Sequence, residues 1–369
     1  VRILQVSSAR AFGGGERHLA DLVRGLAGRG HEVCVALRRG SPLREELTHV
    51  PDENILTLPL RNALDASSAA ALARFARRRG VEVIHAHAAR DYPPAALAAR
   101  LAGARLVLTR HVLFPLSRAH ALVLANAARV IAVSEGAARA MLARKIFPEH
   151  VIRVVPNGVD TERLERVASG LNREDYRLRL GARATLLVGT LGELSEVKGQ
   201  EDFVRAAGVV ARKLDGVEFL VVGEDASRDG RNRAGLVRLI SELGLGERVR
   251  LLGRRADAAE ILSCLDVFVS ASRSEAFGLA SVEAMACGAA VVATATEGSR
   301  AVVEDGVTGL LVPARDPDAI AAAVVRLLED EPLRARLATN ARRRASERWG
   351  LARMVEATER VYAEAVEAR

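Results

Sequence analysis

Two glutamates separated by seven residues, Glu275 and Glu283, bracket a Phe-Gly pair in the segment Ser270 to Ala286. A buried strand is expected to end at Ser270. A short polar loop follows, and a helix should start near Phe277 or Gly278. The free amides of a helix start attract anions, and Gly278 lets an oxygen-rich ligand come close to the backbone. Glu275 stands just before this helix; Glu283 is expected two turns into it, beside Leu279, Val282 and Ala286. A carboxylate so near a buried face needs hydrogen-bond donors, which the paired hydroxyls of a sugar supply. The plainer alternative is one surface glutamate and one capping glutamate.

Other residues with chemistry to offer lie at expected strand ends. Gly192 to Gly199 follows a strand and closes on Lys198-Gly199. His111 follows the strand Leu106 to Thr109, and His85 and His87 end the strand before it. Strand-end histidines serve as packed loop residues about as often as functional ones. The loop Gly13-Gly14-Gly15-Glu16-Arg17 opens a helix. Glycine loops open many helices, and this one lacks the G-x-G-x-x-G spacing of a dinucleotide oxidoreductase.

Elements that would position these residues alternate along the chain. Ile3 to Val6, Val33 to Leu37, Val81 to His85, Leu106 to Thr109, Val130 to Val133 and Ile152 to Val155 read as one strand series. Pro156-Asn157-Gly158 then signals a turn. After a polar stretch near Arg173 to Arg179 comes a second series: Thr185 to Val188, Val217 to Val222, Val249 to Leu252, Val267 to Ser270 and Ala290 to Ala293. Helical periodicity fills most of the gaps, with Leu19, Leu22, Val23 and Leu26 on one face of the first helix. Asp316-Pro317 suits a helix start. The pattern predicts an α/β chain of two doubly wound parallel-sheet, Rossmann-like domains facing a central cleft. The boundaries fall at 1–158 and 159–349. A last amphipathic helix, Trp349 to Val366 and within 350–369, carries Met354, Val355, Val361 and Tyr362.

Glu275 and Glu283 with Phe277-Gly278 between them resemble the signature of the family 4 retaining glycosyltransferases, which have the GT-B fold. The resemblance extends over nearly the whole chain. It includes the Gly13 to Arg17 loop, Pro156 to Asp160, Gly192 to Gly199, Val221 to Glu224, Leu252-Gly253-Arg254, Ala295 to Gly309 and the closing helix. It implies transfer of a sugar from a UDP- or GDP-linked donor to an acceptor hydroxyl, with retention. Glu275 would contact the transferred sugar, and Glu283 would hold the ribose hydroxyls. Phe277 belongs to the same donor segment. The amides of Gly278 and Leu279, with Lys198, would meet the diphosphate, and the backbone at Arg254 would meet the base. Gly14 and Gly15 would face donor phosphates and sugar, and His111 the donor sugar. Glu16, Arg17 and His87 would lie on the acceptor side. The first domain would then take the acceptor and the second the nucleotide sugar; the last helix would return to the first domain. The departing phosphate would accept the acceptor's proton. No metal or other cofactor is implied.

Two positions depart from the family pattern. Glu193 stands where an arginine usually pairs with the diphosphate lysine, and Ala301 replaces a usual glutamate. Arg300 is the candidate for the missing cation. These departures keep open a nucleotide-sugar-binding protein of degraded activity, and the shared architecture keeps open a nucleotide-sugar epimerase or synthase.

Composition narrows the remaining classes. The net charge is +8, with arginine dominating, and aromatics make up 3% of the 369 residues. Neither Arg77-Arg78-Arg79 nor Arg342-Arg343-Arg344 sits among aromatics or in a nucleic-acid motif, so nucleic acid is not an expected partner. Cys34, Cys264 and Cys287 lack metal spacing and are expected to be buried and reduced. Val1 to Val6 is too short for a signal peptide, and no run reaches the roughly 18 apolar residues of a membrane span. The expected setting is the cytoplasm, with peripheral contact at the inner membrane face. A glycan, glycolipid or small molecule would be the acceptor, drawn from cell-envelope synthesis.

Overall fold

Strands of consecutively buried residues, covered on both faces, build two parallel sheets. The computed structural model describes residues 1–113, 116, 119–225, 227 and 229–367. The first sheet contains β1 (Arg2–Ser7), β2 (Glu32–Arg38), β3 (Ile55–Leu58), β4 (Val83–Ala86), β5 (Arg105–Arg110), β6 (Ala127–Ala132) and β7 (Ile152–Val154). Their order is β3-β2-β1-β4-β5-β6-β7. The second contains β8 (Leu186–Leu191), β9 (Val217–Val222), β10 (Val249–Gly253), β11 (Val267–Ser270), β12 (Ala290–Thr294) and β13 (Leu310–Val312), ordered β10-β9-β8-β11-β12-β13. Every pairing is parallel. The chain divides into two compact units, Val1–Gly158 with Leu351–Arg369, and Val159–Gly350.

In the first unit the two sheet faces have separate cores. Leu4, Val6, Ile84, Ala86, Leu106 and Leu108 pack with the helices Ala66–Arg79 and Tyr92–Ala102. Ile3, Val35, Val83, Val107 and Ile131 pack with the helices Gly14–Gly28 and Leu351–Glu367. Gly25 permits that second packing, since a Cβ there would stand 2.4 Å from Val355 Cγ2. Glu364 receives Arg129 and Arg153 at 2.9 and 2.7 Å, and Glu359 receives Arg29 and His31 at 2.7 Å. The last helix is thereby tied to the first unit along its length. The second unit buries Val188, Phe219, Val221, Val267, Val269 and Val292 beneath the helices Gln200–Lys213, Arg231–Glu242 and Pro317–Glu329.

Several expectations need correction. β3 and β13 are edge strands of four and three residues that the sequence pattern does not reveal. The polar stretch Arg173–Arg179 is a helix capped by Asn172, whose side chain accepts from Asp175 N. Trp349 ends the helix Glu331–Trp349, and the last helix begins after Gly350, at Leu351. Residues 368 and 369 of that expected helix lie outside the described residues. Asp316 does cap the helix at Pro317, accepting from Ala319 N at 2.9 Å. All three cysteines are free and buried. Among the described residues no helix is long and apolar enough to cross a membrane.

Candidate functional site

Both sheets reverse their strand order once, beside β1 and beside β8. Ligand crevices of doubly wound sheets open at the carboxyl ends of the strands flanking such a reversal. In the second unit these strands are β8 and β11, and their following loops carry Lys198 and Glu275. Lys198 Nζ donates to Glu275 Oε2 at 2.7 Å, and Ser272 Oγ donates to the same oxygen at 3.4 Å. The ammonium is about one-third exposed and the carboxylate less so. The pair is therefore open to a ligand on one side and fixed on the other.

Backbone contacts fix it. Gly199 has φ +66, and a Cβ there would fall 2.1 Å from Ala271 O, so the two loops touch main chain to main chain. Arg273 N donates to Val197 O at 2.8 Å, while the Arg273 guanidinium bonds Asp202 at 2.9 Å and Glu196 at 3.1 Å. Behind the glutamate, Gly298 N donates to Glu275 O at 2.9 Å; a Cβ at Gly298 would lie 2.4 Å from Phe277 N. Gly192 and Gly223 make a third close approach, with Gly223 at φ +150 and a Cβ position 1.8 Å from Gly192 O.

The helix after this loop runs Leu279–Ala286, with Gly278 as N-cap at φ +101. The expected start is thus one or two residues early, and Glu283 lies one turn into the helix rather than two. Glu283 is half-buried. Phe277 is buried and meets Trp349 edge to face, with centroids 6.4 Å apart. Its ring is a packing element of the loop. Arg254 is exposed after β10, and Arg300 is exposed on the helix Glu297–Val302. Glu193 opens the Lys198 loop. Its partial desolvation raises its pKa, Lys198 lowers it, and Asp225 raises it. Its carbonyl accepts from Gln200 Nε2 at 2.8 Å, which anchors the loop backbone.

In the first unit the glycine loop leads into the helix at Gly14, with Gly15 in its first turn. Glu16 bonds back to Gly13 N at 3.0 Å, which closes the first turn. Arg17 pairs with Glu46 at 3.4 Å and covers the Phe12 ring at 5.0 Å. His87 and His111 follow the neighbouring strands β4 and β5 and face each other, Nδ1 to Nε2, at 3.3 Å. His18, one turn into the helix, joins them: each of the three offers a nitrogen within 4.8 Å of the others. Burial lowers His18 to about 4. Burial and then neighbouring histidines hold His87 well below its ordinary value, and also His111, where Arg110 adds to the effect. His85 is fully buried between Tyr362 Oη and Thr109 Oγ1, each 2.7 Å away, and serves the sheet face under the last helix.

Sequence reading missed His18, Arg273 and Gly298 as positioning residues. Their partners lie far along the chain, so spacing carries no sign of them; Gly199 was visible, as part of the Lys-Gly pair.

Comparison with known proteins follows the same division. The family described as Glycosyltransferase Family 4 matches residues 12–163, and Glycosyl transferases group 1 matches 172–344. A D-inositol 3-phosphate glycosyltransferase of Mycobacterium ulcerans (strain Agy99) is 38% identical over 180 residues, 48% of this chain and 37% of the relative. The counterpart from Mycobacterium tuberculosis (strain ATCC 25177 / H37Ra) is 36% identical over 183 residues, 47% of this chain and 37% of its own. The matched part is thus little more than a third of these curated relatives. Among solved structures, Anabaena Alr3699/HepE in complex with UDP and glucose is 25% identical, with TM-score 0.87 over 98% of this chain and 99% of that one. A glycosyltransferase from Rickettsia africae has TM-score 0.88 at 22% identity, covering 100% and 99%, and matches in fold.

Proposed function

We propose, for a chain that belongs to the group 1 and family 4 glycosyltransferases, the retaining transfer of a sugar from a nucleoside diphosphate to an acceptor hydroxyl. The observation that carries the reading is the Lys198–Glu275 pair at 2.7 Å, held at the ends of the two strands beside the reversal of the second sheet. A diphosphate gains charge as its bond to the sugar breaks, and a fixed ammonium beside a helix start stabilises that charge. Lys198 and the amides at Gly278 and Leu279 take this role. Glu275, released from Lys198, accepts from sugar hydroxyls, and Glu283 from the ribose. Arg254 lies along the base. Arg300 supplies the second cation that Glu193 cannot.

His111 serves the transferred sugar, with Gly14 and Gly15 at the donor phosphates. Glu16, Arg17 and His87 serve the acceptor. As the anomeric carbon–oxygen bond to phosphate breaks, the acceptor oxygen bonds the same face, and its proton passes to the departing phosphate oxygen. A uridine donor is favoured because HepE is described in complexes with UDP and with UDP-glucose. The acceptor is a glycan, a glycolipid or a small polyol; a lipid-linked one would bring the chain to a membrane surface.

Incubation with radiolabelled UDP-glucose, and in parallel a GDP-linked sugar, against a panel of such acceptors tests the reading. We expect a labelled product whose anomeric proton coupling matches that of the donor. An inverted product would remove the retaining mechanism. Failure of UDP and GDP alike to raise the melting temperature would remove the donor assignment.

A further inference from the structure

We propose that His18, His87 and His111 form a binding site for a divalent transition metal, Zn²⁺, within the first unit. The three side chains come from the helix after β1, the end of β4 and the end of β5, strands that lie side by side in the sheet. Each presents a ring nitrogen within 4.8 Å of the other two. Tetrahedral zinc with bonds of about 2.0–2.1 Å to imidazole sets ligand nitrogens about 3.3 Å apart. His87 Nδ1 and His111 Nε2 already stand at 3.3 Å. That is long for an N–H···N hydrogen bond and right for two ligands of one ion.

The surrounding bonds prepare the ligand atoms. His87 Nε2 donates to Gln5 Oε1 at 2.8 Å, which leaves Nδ1 with its lone pair toward His111. Gln5 in turn donates from Nε2 to Tyr362 Oη at 3.0 Å, which fixes the amide. Gln5 and Tyr362 are fully buried. Metal-bound histidines are characteristically oriented in this way by an acceptor on their second nitrogen. His18 Nδ1 supplies an independent observation at the same cluster. It is buried and has no hydrogen-bond partner among the described residues, and an orphaned buried polar atom needs an explanation. Three imidazoles suit zinc better than the oxygen-seeking magnesium or calcium. They leave a tetrahedral ion one position for an oxygen ligand, water or a hydroxyl.

The inference rests on the three histidines of the first unit and does not require the donor assignment, which the Lys198–Glu275 pair carries. Its test uses the full chain, stripped with a chelator and dialysed. Zn²⁺ is titrated in competition with a chromophoric chelator, and Co²⁺ is added in parallel to read the coordination number from visible absorption. One equivalent should bind, with the intense bands of a four-coordinate cobalt site. His87→Ala and His18→Ala, each checked for a cooperative melt, should lose more than about 100-fold in affinity, and Gln5→Leu roughly 10–100-fold. His150→Ala, at an exposed histidine elsewhere, should bind as the parent does. Absence of a saturable one-equivalent site in the parent overturns the proposal, whatever the variants do. Undiminished affinity in folded His87→Ala or His18→Ala overturns it as well.

Discussion

Gly298→Ala isolates the positioning of Glu275 from its chemistry. The added Cβ would stand 2.4 Å from Phe277 N, 2.6 Å from Ala276 C and 2.7 Å from Glu275 O. All three are main-chain atoms, so no side chain can swing aside. Ordinary contact begins at 3.4 Å, and 3.4 − 2.4 leaves 1.0 Å to be made up by backbone movement. The Gly298 side is the stiffer one: Thr296 caps its helix through Ser299 N at 3.2 Å, and Ala295 N is bonded to Val312 O at 2.8 Å. The Glu275–Phe277 loop therefore yields, and the bond from Gly298 N to Glu275 O lengthens. A displacement of about 1 Å in a reacting group costs on the order of 100-fold in rate, or about 2.7 kcal/mol of barrier. Overpacking of this kind costs roughly 1–3 kcal/mol of stability. The assay is initial-rate release of nucleoside diphosphate from the donor sugar that supports turnover, alongside a thermal melt. Gly235→Ala is the control, since a Cβ there meets nothing within 4 Å; it should keep full activity and gain about 0.5–1 kcal/mol as a helical alanine. A folded Gly298→Ala enzyme with more than a third of parental kcat/KM would refute the reasoning.

Other perturbations separate stability from function. Lys198→Ala should reduce kcat on the order of 100- to 1,000-fold yet change the unfolding free energy by no more than about 1 kcal/mol, because the ion pair is partly exposed; kinetics and denaturant melts on one preparation check both. Glu193→Gln should tighten UDP binding roughly fourfold, the effect of removing one charge about 10 Å from a diphosphate of charge about −2 at a dielectric near that of water, ~80, as read by calorimetry. Gly25→Ala should destabilise by about 1–3 kcal/mol through the clash with Val355, and much less in a Val355→Ala background. Asp257 is held down to about 2, first by its bond from Arg255, against partial burial, with Tyr176 adding to it. Asp225 also sits near 2, because hydrogen bonds led by Arg233 N outweigh its desolvation. Both are depressed from 3.8, so their contribution is present above about pH 4 and lost as the pH falls toward 2. Asp257→Asn should show a smaller loss of melting temperature over that interval than the parent.

The sheets were legible because their pattern is local. Ile3 and Val83 face one core while Leu4 and Ile84 face the other, so each strand is written as a run of consecutive apolar residues. The edge strands Ile55–Leu58 and Leu310–Val312 gave no such signal, since each is set among Pro, Gly, Asn and charged residues that read as loop. Trp349 was joined to the wrong helix for a related reason: apolar periodicity runs on through Gly350, where the backbone turns extended, at φ −64 and ψ 143. Lys198 and Glu275 could be named one by one from motif context. Their mutual distance could not, because it is set by Gly199 against Ala271 and by Arg273 against Asp202.

The same limit applies more strongly to the histidines. His87 and His111 stand at strand ends that a linear reading can identify, but His18 lies within the amphipathic helix Gly14–Gly28, where nothing in its spacing marks it. Parallel order puts β1 between β2 and β4, so the helix after β1 starts beside the ends of β4 and β5. Topology alone makes residues 18, 87 and 111 neighbours. The sheet also selects what lies beneath them. Gln5 is in register with His85, and His85 with Val107, two residues before Thr109. These polar side chains lie inside an otherwise apolar face, where each needs a partner. Tyr362 provides one for Gln5 and His85 from the far end of the sequence. The last helix is therefore more than a hydrophobic cover: without its hydroxyl, Gln5 loses the bond that fixes its amide, and His87 loses the fixed acceptor that holds its ring. Tyr362→Phe keeps the packing and removes only that hydroxyl. It should weaken Zn²⁺ binding while the melt stays cooperative, and unchanged affinity in the variant would show that the Gln5 amide is fixed by something else.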